Sequence, residues 1–161
     1  LDALGVDIDP SGGTELKLYM VPRVPAGRSQ RTFSHKESEL TISAALELCG
    51  LGDQRGSALD LVSTINRLDL PCSHVTIDIR PTGDRAVKVY FDTWNMGREK
   101  TRFADPEAMR GAISGAYTAA GVKLNAEAMH SLVGRIMNGG LIIDSIAVDF
   151  ETFGHGIPQR R

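Results

Sequence analysis

The chain repeats itself every 71 residues, and that repeat limits what it can fold into. Val6-Asp7-Ile8-Asp9-Pro10-Ser11-Gly12 aligns with Ile77-Asp78-Ile79-Arg80-Pro81-Thr82-Gly83. With no gap, Leu16-Lys17-Leu18-Tyr19-Met20 aligns with Val87-Lys88-Val89-Tyr90-Phe91. The offset persists through Ile42-Ser43-Ala44-Ala45 and Ile113-Ser114-Gly115-Ala116, through Gly50 and Gly121, and through Leu61-Val62 and Leu132-Val133. A third copy begins at Val148-Asp149-Phe150. Such regularity implies one supersecondary unit used several times. On this reading the 161 residues are a single incomplete domain, with repeats over about 4–74 and 75–145 and the start of a third over 146–161.

Each copy reads as strand, turn, strand, connector, helix, helix. Gly5 to Ile8 and Glu15 to Val21 flank a Pro-Ser-Gly-Gly hairpin signal, and His74 to Arg80 and Arg85 to Thr93 flank Pro81-Thr-Gly-Asp. Ser34 and Glu37 have capping-box spacing, and Gly50 marks a helix end. Ile42, Ala45, Leu46 and Cys49 form one apolar stripe, copied by Ile113, Ala116, Tyr117 and Ala120 after Asp105-Pro106. The second helices match as Ala58, Leu61, Val62 and Ile65 against Met129, Leu132, Val133 and Ile136.

Strand alternation then separates two faces. Val75, Ile77, Ile79, Val87, Val89 and Phe91 share the face that amphipathic helices would cover. The other carries His74, Thr76, Asp78 and Arg80 on one strand, and Lys88, Tyr90, Asp92 and, by parity, Trp94 on its neighbour. Glu15, Lys17 and Tyr19 are the first copy's equivalents. On an open sheet this is a solvated surface; in a closed barrel jacketed by helices it becomes a polar lumen. The expected fold class is α+β, with tandem ββαα repeats forming part of an antiparallel β-barrel.

A net charge of −2 and the absence of a long apolar run point away from nucleic acid and membranes as partners. Cys49 and Cys72 are isolated, consistent with reduced thiols in a cytoplasmic protein. The four histidines lack metal-ligand spacing.

Repeats of this length with Lys-x-Tyr on the second strand resemble the aromatic prenyltransferases of the αββα barrel, indole (dimethylallyltryptophan synthase-type) branch. Glu15-Leu-Lys17-Leu-Tyr19-Met, Ala86-Val-Lys88-Val-Tyr90-Phe and the strand His74 to Arg80 carry that resemblance. It implies about five repeats, or about 355 residues, so the remaining repeats would come from the same or another chain. It also implies dimethylallyl diphosphate as donor and an aromatic, indole-type acceptor as partners. Lys17 and Lys88 would bind the diphosphate, and Tyr19 and Tyr90 would shield the allylic cation by cation–π attraction. Thr76, Asp78 and Trp94 would meet the acceptor, although Trp94 also suits simple packing. Asp7, Asp78 and Asp149 equally suit pairing with the lysines. No metal is obligatory, and magnesium stays open. Arg28, Arg31, Arg98, Lys100 and Arg102 lie in basic connectors that fit either a solvated surface or a barrel rim. Outside this family, the same pattern fits a non-catalytic α+β module that binds a small anion.

Overall fold

The computed structural model describes residues 3–8, 14–22, 32–95, 100, 101, 103, 105–123, 125–138 and 145–151. Its strands are β1 (Ala3–Ile8), β2 (Thr14–Met20), β3 (Cys72–Ile79), β4 (Arg85–Asp92), β5 (Trp94–Asn95), β6 (Lys100–Thr101) and β7 (Ser145–Glu151). Its α-helices are α1 (His35–Leu48), α2 (Arg55–Asn66), α3 (Pro106–Ala119) and α4 (Ala126–Met137). Five strands form one antiparallel sheet in the order β1-β2-β3-β4-β7, while β5 and β6 pair apart from it. Among the described residues this sheet is open, with β1 and β7 at its edges.

Local chemistry sets the helix limits. Ser34 Oγ accepts from the Glu37 backbone N–H while Glu37 accepts from the Ser34 N–H at 2.9 Å, a full capping box. Asp105 caps α3 by accepting from Ala108 N–H at 2.8 Å, with Pro106 as the first helical residue. Gly50 and Gly121, at φ of 72° and 75°, take the left-handed turn that follows α1 and α3.

The apolar stripes then close onto one sheet face. Ile42, Leu46, Ile65, Met109 and Ile113 from the helices meet Val75, Val87, Val89, Phe91 and Phe150 from the strands in one buried cluster. Full burial of such a side chain stabilises by about 1.5–3 kcal/mol, so this cluster is the main source of cohesion. It also determines which sheet face is left without helices.

The two halves coincide in detail. α1 and α3 begin and end 71 residues apart, and so do α2 and α4. All six β1–β2 residue pairs reappear at that offset between β3 and β4, as Gly5↔Lys17 and Thr76↔Lys88 illustrate. All five β2–β3 pairs reappear between β4 and β7, so Lys17↔Asp78 is matched by Lys88↔Asp149.

Burial breaks this equivalence at one end. Leu46, Cys49, Leu51 and Val75 are buried, whereas Tyr117, Ala120, Val122 and Ile146 at the matching positions are only half-buried. The latter line an apolar cavity of about 180 Å³ between the end of α3 and β7.

Candidate functional site

The face turned away from the helices holds the candidate site. Lys17 pairs with Asp78, and Lys88 with Thr76, two residues along the same strand. Strand alternation therefore places Lys17, Lys88, Thr76 and Asp78 on one side of the sheet, with Tyr19 and Tyr90 beside them. None of the six belongs to the apolar cluster under the helices.

Thr76 and Asp78 are wholly buried. The Thr76 hydroxyl donates to Asp78 Oδ1 at 3.1 Å, and Lys88 Nζ lies 2.6 Å from Asp78 Oδ2. Asp149 approaches the same ammonium at 3.9 Å from the other side. Burial alone would push the Lys88 ammonium down, but the hydrogen bond and charge of Asp78, followed by Asp149, carry it above the ordinary lysine value. Burial likewise raises the Asp149 carboxyl, only partly offset by Lys88. Lys88 is thus a fixed cation between two carboxylates.

A second chain of charges runs beside the first. Lys17 lies 3.6 Å from Glu15, Glu15 lies 3.6 Å from Arg80, and Arg80 Nη2 donates to Glu151 at 3.0 Å. Since β4 lies between β3 and β7, the Arg80 guanidinium crosses that strand to reach Glu151. Ala86 is the β4 residue opposite Glu151.

Aromatic rings complete the face. His74 stacks on Tyr90 with ring centroids 4.0 Å apart and planes 13° off parallel, and Tyr19 lies 6.4 Å from the same imidazole. Burial raises the Tyr90 hydroxyl above the usual phenol value, with Lys88 and Thr76 pulling the other way. The ring stays a neutral phenol at physiological pH, which is the form whose face attracts cations.

Thr76 and Asp78 are both buried, with Asp78 Oδ1 accepting from the Thr76 hydroxyl and Oδ2 ion-paired with Lys88. Their chemistry acts through Lys88. Trp94 is not an extension of β4: that strand ends at Asp92, and Trp94 pairs with Thr101 in the separate β5–β6 ribbon. Parity counted along β4 does not reach it, and its side chain lies outside the described residues. So do the side chains of Asp7, Arg28, Arg31, Arg98, Lys100 and Arg102.

Strand alternation puts His74 and Arg80 on this face but assigns neither a role. Parity was the available signal, and ring stacking and cross-strand reach are what it omits. Among the described residues, no group of three or more His, Cys, Asp and Glu side chains is placed to hold a metal ion. Nor is any described helix long and apolar enough to cross a membrane.

Among the described residues, larger cavities lie on the helical side. One of about 570 Å³ runs between α3 and α4 beside Arg110, Ser114 and Lys123, on the helical side. Comparison with protein-family models, with characterised proteins and with solved structures finds no match to this chain.

Proposed function

We propose that this polar face is the inner wall of an aromatic prenyltransferase built from tandem ββαα units around a β-barrel. One observation carries the reading: Lys17-x-Tyr19 and Lys88-x-Tyr90 share one helix-free face in the same register. The half-open apolar cavity beside β7 supports a further unit there, supplied by the same or another chain. An open sheet edge next to uncovered apolar surface is unfavourable without such a neighbour.

In this reading Lys17 and Lys88 meet the diphosphate of a dimethylallyl donor. The donor's C–O bond breaks, and the electron pair leaves with diphosphate, whose charge the two ammonium groups stabilise. Tyr19 and Tyr90 offer neutral ring faces to the allylic cation. A ring carbon of an indole-type acceptor supplies the pair for the new C–C bond, and the ring then loses a proton. Asp78 and Thr76 position Lys88. No protein-bound metal enters the scheme, although a magnesium ion accompanying the diphosphate would be compatible with the Asp149 carboxylate.

The test is product formation by the complete polypeptide with dimethylallyl diphosphate and a panel of tryptophan, indolic peptides and phenols. An acceptor gaining one prenyl group is expected, and Lys17→Met and Lys88→Met should each lower the rate by about 10²–10³-fold. Anion binding by calorimetry with no turnover on any acceptor would instead establish the non-catalytic module.

A further inference from the structure

The equivalence of the two halves also fails at the end of the sheet opposite the β7 cavity. Val87, Val89 and Phe91 on β4 are wholly buried, yet Leu16, Leu18 and Met20, 71 residues earlier on β2, are only half-buried. The difference is one of cover. α1 packs on β3 and β4, and no described helix makes comparable contact with β1 or β2.

α1 shows the same asymmetry against α3. In α3, Gly115 and Ala119 face α2: a Cβ on Gly115 would come 2.8 Å from Leu68 Cδ1, and Ala119 shares a crevice with Ser57, Asp60, Leu61 and Thr64. The matching residues of α1 are Ala44 and Leu48, with Leu40 one turn earlier in the place of Gly111. All three are exposed, Leu40 at 63% and Leu48 at 67%. Spacing of i, i+4 and i+8 puts them on one side of the helix, and an apolar side of this kind is normally turned toward another element.

We propose that this face seats the two helices of a further ββαα unit lying ahead of β1 in the same polypeptide. The first of them covers β1 and β2 as α1 covers β3 and β4, and the second lies on α1 as α2 lies on α3. The inference rests on the 71-residue repeat and not on the prenyl-transfer reading. It extends an interface that the chain already contains.

Connectivity selects this occupant. α2 runs through the short link from Arg67 to Pro71 into β3, and α4 precedes β7 in the same order. A helix seated on α1 in the manner of α2 therefore ends near the start of β1 and is the segment that leads into that strand. A second copy of the chain fits worse. Its α3–α4 pair is followed by β7, which would claim the place that β1 already fills.

The face also restricts the side chains that meet it. Ala44 stands where α3 has Gly115, against which Leu68 is already close. Close packing therefore requires that the residue in Leu68's place be smaller than leucine, or that the two helices lie further apart.

The test is made on the complete polypeptide carrying Leu48→Cys, with Thr82→Cys in the exposed β3–β4 turn as reference. Cys49 and Cys72 are buried and form an unreactive background. A disulfide-exchange reagent should modify the Leu48→Cys thiol at least about 10²-fold more slowly than the Thr82→Cys thiol. Equal rates overturn the proposal. Protection that is lost on dilution to a monomer assigns the face to a second copy and also overturns it. Hydroxyl-radical footprinting of the unsubstituted polypeptide is a second arm that needs no variant. Leu40 and Leu48 should be modified as slowly as the wholly buried Leu46, and modification at the rate of an exposed side chain overturns the proposal. Neither measurement involves turnover, so failure here leaves the prenyl-transfer reading standing, and a polypeptide that prenylates nothing leaves this interface standing.

Discussion

Lys88 Nζ stands 2.6 Å from Asp78 Oδ2, and the carboxylate it meets has no exposed surface. This is not the partner that register alone assigns. Lys88 faces Thr76 across β3–β4 and Asp149 across β4–β7, yet it leans diagonally to Asp78. Thr76 explains the choice, because its hydroxyl engages Oδ1 and leaves Oδ2 toward the lysine. The result is a cation held in one place before any ligand arrives, which lowers the entropy cost of binding an anion.

That pair should be strongly coupled. Lys88→Met leaves a buried carboxylate without its counter-ion, which costs about 3–5 kcal/mol. Adding Asp78→Asn removes the orphaned charge, so the double variant should be more stable than Lys88→Met alone. Urea unfolding of the four proteins measures the coupling. Additivity within about 0.5 kcal/mol would mean that the contact carries no net interaction.

Asp149, the register equivalent of Asp78, should behave in the opposite way. Its carboxyl is raised above 3.8, by burial first and then by Glu151 and Asp78 against Lys88. A group raised on folding contributes stability that is complete below its unfolded value and lost as pH rises through the folded one. Asp149→Asn removes that loss. The variant should melt higher than the parent at pH 7, and its advantage should shrink as pH falls toward 3.8 and below. An advantage that grows in acid would contradict the assignment.

Gly50 and Gly121 offer a matched pair. Both have positive φ, and an added Cβ would meet nothing within 4 Å at either one. The cost of Gly→Ala is therefore conformational, about 1–2 kcal/mol at each site. Gly→Asn should recover part of it, since asparagine tolerates this region. Chemical denaturation should give nearly equal losses for the two alanine variants. A much larger loss at one would reveal a packing role that the surrounding space does not suggest.

Much of this architecture follows from periodicity. The stripes through Ile42 and Ile113, the Ser34 capping box and the alternation through Val75, Ile77, Val87 and Val89 are local patterns, and the helices and helix-facing strand surface follow them. What escaped was whatever interrupts a period. The one-residue bulge at Ser73 leaves no periodic trace, and the break at Thr93 that separates Trp94 from β4 looks like continued alternation. Ion-pair choice was equally hidden. Lys88 faces Thr76 across β3–β4 yet pairs diagonally with Asp78, because side-chain reach rather than spacing decides between neighbours.

Cys72 tests whether the sheet–helix core stays dry. Burial, reinforced by the nearby Asp92 charge, pushes its thiol up to about 12 from 9.0. A buried neutral thiol is a poor nucleophile, so a disulfide-exchange reagent at pH 8 should modify Cys72 only after denaturation. The same shift has a linkage consequence of definite sign. Between 9.0 and about 12 the unfolded chain loses the thiol proton while the folded one keeps it. Stability must therefore fall as pH rises through that window, by up to about 1.4 kcal/mol per pH unit. Cys72→Ala should unfold more easily at pH 8 because it opens a small cavity, but it should lose less stability between pH 9 and 11 than the parent does. Equal slopes for the two proteins would place the thiol in contact with water, and the tight closure of α1 over β3 would then be wrong.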